Sequence, residues 1–330
     1  MLNCKGHSVE LLADGKRISL DCRGENAFVS HAHADHAVRK AGSLLCSKAT
    51  LDLMQARGYS PQCANAASEF KQDDLCVTLS SSGHVLGSAQ LHAKWDSTSF
   101  TYTSDFKLGD SLTCSGAKVA KCEELLIEAT YGLPRYRFPP REQTRKEMAD
   151  WAKRRQSSGD VVLLGGYSLG KAQEIVKLLN DYCDTAPIVP KDIADVCRIY
   201  TAHGVKLDFL DAESNEGIKA MKHSFTAVIP HHKMTPQLAS DAAALYCKRV
   251  SCAVATGWAM NSVGSERFKS FCLSDHADYS ELVRYAEESG AKKVFTTHGY
   301  ATELAADLRK KGINAIPLGQ GRKQKTRIGL

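Results

Sequence analysis

Three histidines and an aspartate lie within six positions of the segment Ser30–Ala37, which reads SHAHADHA. Histidine is scarce in this chain, with 12 among 330 residues, so a surface loop does not explain the cluster of His31, His33, Asp35 and His36. Imidazole nitrogens and carboxylate oxygens are ligands of zinc, and they also suit manganese or iron. The residue types and their spacing therefore predict a metal site.

The apolar run Ala27–Val29 precedes this motif and predicts a strand that ends at Ser30. The motif then occupies the loop at the end of the strand. Side chains 31 and 33 project to the same side, whereas 35 and 36 lie beyond the next bend. This arrangement directs two pairs of ligands at neighbouring points, which suits two metal ions rather than one.

Three further polar residues lie where predicted strands begin or end. His84 lies in a glycine turn that opens a strand, Asp105 follows the run Ser99–Ser104, and His298 follows Lys293–Thr297. An isolated histidine at the end of a strand is seldom a ligand. Together with the first motif, however, these residues complete two coordination shells.

The elements that must position these side chains follow a changing pattern along the chain. Short β-type runs alternate with turns in the first third, and a strand at Leu125–Glu128 ends in a carboxylate. Apolar strands such as Val161–Leu164 then alternate with helical patterns at Leu169–Leu179 and Leu238–Arg249, and the last part alternates again. The order predicts an α/β protein, a sheet-and-helix domain with a second α/β unit inserted into it.

The order His-x-His-x-Asp-His, Gly-His and Ser-Asp resembles that of the metallo-β-lactamase superfamily, whose fold is an αββα sandwich with a metal pair at one edge of its two sheets. The resemblance implies two zinc ions per chain, with Mn²⁺ or Fe²⁺ as alternatives. The implied ligands are His31, His33 and His84 for the first ion and Asp35, His36 and His298 for the second. Asp105 would bridge the ions, and Asp21 matches an acidic residue that orients ligands from behind the site.

Other segments are similar to those of the β-CASP nucleases within that superfamily. LIEATYG contains Glu128 and resembles the acidic motif of the group, LSDHADY contains His276 and resembles the second motif, and THG contains His298 and resembles the third. YSLGKAQE, residues 167–174, is similar to the start of the inserted β-CASP core. The resemblance spans residues 8–318. It implies a metallo-β-lactamase domain of residues 1–132 and 259–330 and a β-CASP domain of residues 133–258.

Within the β-CASP group, GLPRYRFPP, YSLGKAQ and LSDHAD are most similar to a short branch. That branch includes bacterial ligase-associated DNA 3′-exonucleases and archaeal proteins labelled as mRNA 3′-end-processing factors. The resemblance implies a nuclease that acts on single-stranded RNA or DNA. Histidine at position 298 does not separate the two substrates, because both kinds of relative carry it. Exonuclease and endonuclease action also both stay open.

Hydrolysis of a phosphodiester is the chemistry that these residues would serve. Two neighbouring metal ions would neutralise the phosphate oxygens and lower the pKa of a shared water, so that hydroxide would form near neutral pH and attack. Asp35 and Asp105 would take part in the hydrolysis as carboxylates that bind the metal ions. His276 is the candidate general acid for the leaving 3′-oxygen, and Glu128 would orient it as in a carboxylate–histidine pair.

Three residues are candidates for contact with the substrate. Ser168 and Lys171 open a helix after an apolar strand, and the N-terminus of a helix with such residues can bind phosphate. The competing interpretation is an ordinary N-cap followed by a lysine in solvent. Ser274, beside His276, is the third candidate.

The composition of the chain indicates which class of protein it belongs to and where we expect it to act. With 43% hydrophobic and 24% charged residues, the chain has the make-up of an ordinary soluble protein, and no apolar stretch approaches the roughly 20 residues that span a bilayer. The 12 cysteines include no Cys-x-x-Cys pair, which indicates free thiols in a reducing cytosol. We therefore expect a cytoplasmic protein without a membrane partner. The formal net charge of +6 suits a polyanionic partner.

Two other functions stay open at this point. A small-molecule metallo-hydrolase, such as a thioesterase or lactonase, would have neither an inserted domain nor a His276–Glu128 pair. A non-catalytic β-CASP scaffold subunit would have lost metal ligands, whereas this chain keeps them. Assembly as a homodimer, or within a larger nucleic-acid-processing complex, is compatible with either a nuclease or a scaffold.

Overall fold

The computed structural model describes residues 2–5, 8–59, 61, 66–67, 69–260, 264–265 and 267–318. The strands are β1 Leu2–Lys5, β2 Ser8–Ala13, β3 Lys16–Leu20, β4 Asn26–Phe28, β5 Ser43–Leu45, β6 Ala66–Ala67, β7 Glu69–Gln72, β8 Leu75–Ser81, β9 Ala89–Trp95, β10 Thr98–Tyr102, β11 Glu124–Glu128, β12 Val161–Gly166, β13 Ile188–Val189, β14 Leu210–Asp211, β15 Thr226–Pro230, β16 Val250–Ala255, β17 Phe268–Phe271, β18 Lys293–Thr297 and β19 Ala315–Pro317. The helices are α1 Lys48–Ala56, α2 Arg141–Ser157, α3 Lys171–Cys183, α4 Lys191–Ala202, α5 Asn215–Ala220, α6 Pro236–Tyr246, α7 Tyr279–Ser289 and α8 Ala301–Lys310, with a 3₁₀ turn at His231–Lys233.

The described residues form two compact units, the first from residues up to Arg137 and from His276 onward, and the second from Phe138–Asp275. The resemblance to the β-CASP group implied an inserted domain of residues 133–258. In the structure, β17 lies beyond that limit and pairs with β16, so it extends the sheet of the second unit. The sequence pattern did not reveal this strand because it is a short edge strand that follows a long connection.

The first unit contains two mixed sheets, β1 to β6 in one and β19-β18-β11-β10-β9-β8-β7 in the other. Phe28 from the first sheet and Leu91 and Leu126 from the second share one buried core, so the sheets face each other. Leu125 and Ile127 alternate with Leu126 along β11, as a pleated strand requires, and they pack with helices α7 and α8 on the other side. The predicted α/β class, with a sandwich in one unit, is confirmed.

The second unit contains an all-parallel sheet in the order β14-β13-β15-β12-β16-β17. Every residue of its central strand β12 is buried, as expected of a parallel strand with both faces covered. One predicted helix, Leu238–Arg249, is too long. Helix α6 ends at Tyr246 because Cys247 takes a left-handed backbone with φ 49°, and Val250 already begins β16.

Parallel pairing in the first unit brings several strand ends to the same edge. β10, β11 and β18 run parallel, with Tyr102 opposite Leu126 and Leu126 opposite Phe295. β3 and β4 also run parallel, with Leu20 opposite Phe28. Because parallel strands end at one edge of their sheet, the residues that follow them become neighbours. This pairing brings Asp105 and Glu128 together in one sheet, and Asp21 and the motif that begins at His31 together in the other.

Gly299 follows one of these strand ends and is expected to tolerate no side chain. It has φ +44°, and a Cβ there would lie 2.3 Å from the Ala129 carbonyl oxygen. Gly290 offers a matched control, since it has φ +68° but no atom within 4 Å of the same position. We expect Gly299→Ala to lower the free energy of unfolding by about 1–3 kcal/mol more than Gly290→Ala, as overpacking does. Urea denaturation of the metal-free proteins measures the difference. Equal losses of unfolding free energy in the two variants would contradict a steric clash at Gly299.

Two further predictions can be compared with the described residues. Each cysteine in them is a free thiol, as the scattered spacing predicts. No helix in the same residues is both long and apolar enough to cross a bilayer.

Candidate metal centre

The loop after β4 brings two histidines of the opening motif to His84. His31 Nε2 lies 3.0 Å from His33 Nδ1, which lies 3.1 Å from His84 Nε2. One ring nitrogen from each residue thus belongs to a group whose atoms all lie within 4.8 Å of one another. Three converging imidazole nitrogens fit a cation, because a neutral imidazole has one unprotonated nitrogen whose lone pair can bind a metal ion.

Asp105 lies beside this group and also completes a second one. Its Oδ2 lies 3.5 Å from His36 Nε2, 3.7 Å from His31 Nε2 and 3.8 Å from His84 Nε2. His31, His36 and Asp105 form the second compact group of potential ligands, and both groups are largely buried. The carboxylate of Asp105 therefore borders both groups, which is the position of a shared ligand.

Asp35 and His298 lie at the margin of the cluster. The Asp35 side chain is 79% exposed, and its Oδ2 lies 3.9 Å from His36 Nε2. The ring centroid of His298 lies 6.0 Å from that of His36, and His298 has φ 61°, which is uncommon for a residue other than glycine. Among the described residues, neither belongs to a compact ligand group. The structure brings both near the second group, and their role as ligands stays a prediction.

Burial and neighbouring charges set the protonation of the cluster. Burial, together with nearby imidazoles, lowers the pKa of His31 well below its usual value, so His31 is neutral and able to bind a metal ion. For His36, burial acts to lower the pKa, but Asp21 and Asp105 outweigh it and raise the pKa to about 10. Burial raises the pKa of Asp105. A divalent metal ion would take the place of the His36 proton between these carboxylates, so the donor set fits such an ion.

Asp21 lies behind the ligands and receives four hydrogen bonds. The backbone nitrogen and hydroxyl of Ser30 donate to it at 2.7 and 2.8 Å, and the Tyr102 hydroxyl donates at 2.9 Å. His36 Nδ1 lies 2.9 Å from Asp21 Oδ2. This contact occupies Nδ1 and leaves Nε2 of His36 directed at Asp105.

Replacing Asp21 by asparagine is expected to weaken binding of a divalent metal about 10- to 100-fold, because the amide cannot accept from all these donors or fix the His36 ring. Asp14→Asn is a matched control, since Asp14 also has a left-handed backbone, with φ 45° against 50° for Asp21. A competition titration with a zinc-binding dye measures both affinities. Equal affinities in the two variants would contradict the orienting role.

His276 and Glu128 form a pair, as their motifs suggested. His276 Nδ1 lies 3.1 Å from each carboxylate oxygen of Glu128, and the Phe106 backbone nitrogen donates to the same carboxylate at 2.8 Å. Burial acts to raise the pKa of Glu128, but His276 and the hydrogen bonds outweigh it and lower the pKa. His276 also belongs to a third compact group with His84 and Asp105. The pair therefore lies directly beside the potential metal ligands.

The three candidate substrate contacts have other partners in the structure. Lys171 Nζ lies 2.7 Å from Asp275 Oδ1 and 2.8 Å from Glu174 Oε2, and its side chain is only 2% exposed. The interpretation of a lysine in solvent is therefore wrong. Gly170 rather than Ser168 caps the helix, and Ser168 donates to Asp192. Ser274 is buried. Contact of these residues with phosphate stays a prediction.

Sequence reasoning missed two residues that support the cluster. The Ser30 hydroxyl lies 2.9 Å from His31 Nδ1 and also donates to Asp21. Tyr102 donates to Asp21 from the end of β10. A serine directly before the first ligand was a usable signal for Ser30. Tyr102 offered none, since a tyrosine in a strand is usually part of the core.

No family model matches the sequence. The chain is similar to a probable DNA ligase of Opitutus terrae, with 32% identity over 313 residues, which cover 90% of this chain and 29% of that protein. It is 36% identical to the transcription termination factor FttA of a Lokiarchaeum species over 44% of this chain and 24% of the factor. An RNase J-like protein of Methanocaldococcus jannaschii is 27% identical over 47% of this chain and 43% of that protein.

The chain thus spans less than half the length of these three relatives. Among solved structures, the fold is similar to that of a protein of unknown function from Enterococcus faecalis V583. The TM-score is 0.59 at 12% sequence identity, over 90% of this chain and 79% of the other. This likeness concerns the fold alone.

Proposed function

We propose that this chain, which belongs to the β-CASP family of metallo-β-lactamases, is a metal-dependent nuclease. It hydrolyses phosphodiester bonds of single-stranded nucleic acid and acts at 3′ ends. The observation that carries the proposal is the His276–Glu128 pair beside two groups of potential metal ligands. A hydrolase for phosphodiesters needs both a cation site for the phosphate and a proton donor for the leaving oxygen.

We assign the cation site to the seven residues of the sequence motifs. His31, His33 and His84 would hold one zinc ion, Asp35, His36 and His298 a second, and Asp105 both. Nitrogen and oxygen donors of this kind suit zinc, and manganese or iron are the alternatives. When bound, such ions neutralise phosphate charge and lower the pKa of water.

His276 supplies the proton. Its Nδ1 contacts Glu128, which leaves Nε2 for the leaving 3′-oxygen of the substrate. The side chain is 23% exposed, so a substrate can reach it, whereas Glu128 is almost fully buried. A buried carboxylate stabilises the imidazolium form and fixes the ring orientation, which are the two requirements of a histidine general acid.

DNA is the substrate that we favour. The relative that matches 90% of the chain is named as a probable DNA ligase, and ligation requires 3′ ends of defined structure. RNA is the second candidate, supported by the RNase J-like relative, which matches 47% of the chain. The net charge of +6 is compatible with either polyanion. We further propose a cytoplasmic location and action as a homodimer or within a nucleic-acid-processing complex.

The test uses zinc-loaded protein and single strands of DNA and RNA of one sequence, labelled at either end, with His276→Ala as the control. A ladder that shortens from the 3′ ends of DNA would support the favoured substrate. Trimming or discrete cuts of RNA alone would support the second candidate. Stoichiometric zinc without cleavage of either strand would overturn the nuclease proposal, and absence of zinc would point to a scaffold. Turnover of thioesters or lactones alone would instead indicate a small-molecule hydrolase.

A further inference from the structure

Four charged side chains form a buried network in the unit Phe138–Asp275. Lys171 Nζ contacts Asp275 at 2.7 Å and Glu174 at 2.8 Å, and Arg145 Nη2 contacts the other carboxylate oxygen of Glu174 at 3.1 Å. All four residues are buried. Two cations and two carboxylates thus alternate in one continuous chain of ion pairs.

Such a network is costly to desolvate and persists only when its geometry is good. Burial acts to lower the pKa of Lys171, but Asp275 and Glu174 outweigh burial and raise the pKa. Lys171 therefore remains an ammonium group between two carboxylates. Its position is fixed by two short contacts in place of the mobility usual for a lysine side chain.

The carboxylate at one end of the network belongs to the residue directly before His276. Asp275 contacts Lys171, and Arg141 donates to the carbonyl oxygen of Ser274 at 2.7 Å. On the other side of His276, the backbone nitrogen of Ala277 donates to the Phe106 carbonyl oxygen at 2.5 Å. The backbone that carries His276 is thus held at the residues before and after it.

We propose that Lys171 is a positioning residue for His276: by binding Asp275 it fixes the backbone from which the imidazole reaches Glu128. The inference rests on the proposed function, in which His276 donates the proton. It links two motifs, YSLGKAQE and LSDHADY, that are about a hundred residues apart in sequence. A displacement of about 1 Å in a catalytic group can lower a rate about 100-fold.

The kinetic test compares three variants of the zinc-loaded chain on a labelled single strand. Lys171→Met is expected to lower kcat about 10- to 100-fold with KM nearly unchanged. Lys171→Arg should restore part of the loss. Lys177→Met is the matched control, since Lys177 lies on the same helix and pairs with Asp181 near the surface. A rise in KM with kcat intact would overturn the proposal and indicate a direct phosphate contact.

Asp275→Asn keeps the size of the side chain and provides a second route if Lys171→Met does not fold. We expect it to lower kcat in the same way. The double variant should be no slower than the slower single variant, since both changes break one contact. Full activity of Asp275→Asn would overturn the proposal.

A readout without turnover separates this inference from the proposed function. Long-range ¹H–¹⁵N spectra of the metal-free protein report the hydrogen bond of the His276 ring to Glu128. Lys171→Met should shift the ring signals of His276 and leave those of His92, which contacts Ser80, in place. Unchanged His276 signals would overturn the positioning role. If the wild-type chain cleaves no nucleic acid, the proposed function fails, and these spectra still decide the role of Lys171.

Discussion

Replacing His276 by alanine is expected to lower kcat for phosphodiester cleavage about 10²- to 10⁴-fold, the usual contribution of a general acid. The reason is that Nδ1 is occupied by Glu128, so the ring has one nitrogen and one orientation available for the leaving group. Metal content should not change, because the assigned ligands remain. Single-turnover cleavage of a labelled strand measures the rate, and mass spectrometry measures the bound metal.

The control for this prediction is His92→Ala. His92 is another partly buried histidine, and it contacts Ser80 and Thr101 away from the ligand groups. It should retain the wild-type rate. The kcat of Glu128→Gln should lie between those of His276→Ala and His92→Ala. The His276 ring keeps a hydrogen-bond partner in this variant but loses the negative charge that stabilises the imidazolium. If His276→Ala instead loses bound metal, His276 is a ligand, as its group with His84 and Asp105 would allow.

Replacing Asp105 by alanine is expected to have the second large effect. Its Oδ2 lies within 3.8 Å of Nε2 of three histidines, so one substitution removes a donor from both proposed ion sites. Loss of the cations removes several kcal/mol of transition-state stabilisation, which corresponds to a rate loss of about 10³-fold or more. Dialysed protein should contain less than one metal ion per chain.

Asp110→Ala is the matched control for Asp105. Asp110 lies in the same loop, but its carboxylate accepts from the backbone nitrogen of Gly116. This variant should bind metal and cleave as the wild type does. Retention of two ions by the Asp105 variant would show that the carboxylate is not shared. Treatment with a chelator followed by addition of zinc should abolish and then restore activity in the wild-type protein.

Local sequence determined the residue types of the site and its place at strand ends. The motif of His31, His33, Asp35 and His36 lies within one loop, and the apolar run before it specifies where that loop begins. Alternating and continuous apolar patterns likewise predicted the α/β class. The residues of a strand themselves indicate whether one face or both faces of that strand are buried. These features depend on neighbours in sequence.

Tertiary structure decided which of these residues meet. Asp105 lies among three imidazoles because the loops that follow β4, β8 and β10, strands of two different sheets, converge. Lys171 is buried beside Asp275, which lies far along the chain. The pattern around Lys171 allowed a surface lysine equally well, and the strand β17 gave no signal of its own. Contacts of this kind depend on which distant segments pair with each other. The local spacing of apolar residues does not indicate that pairing.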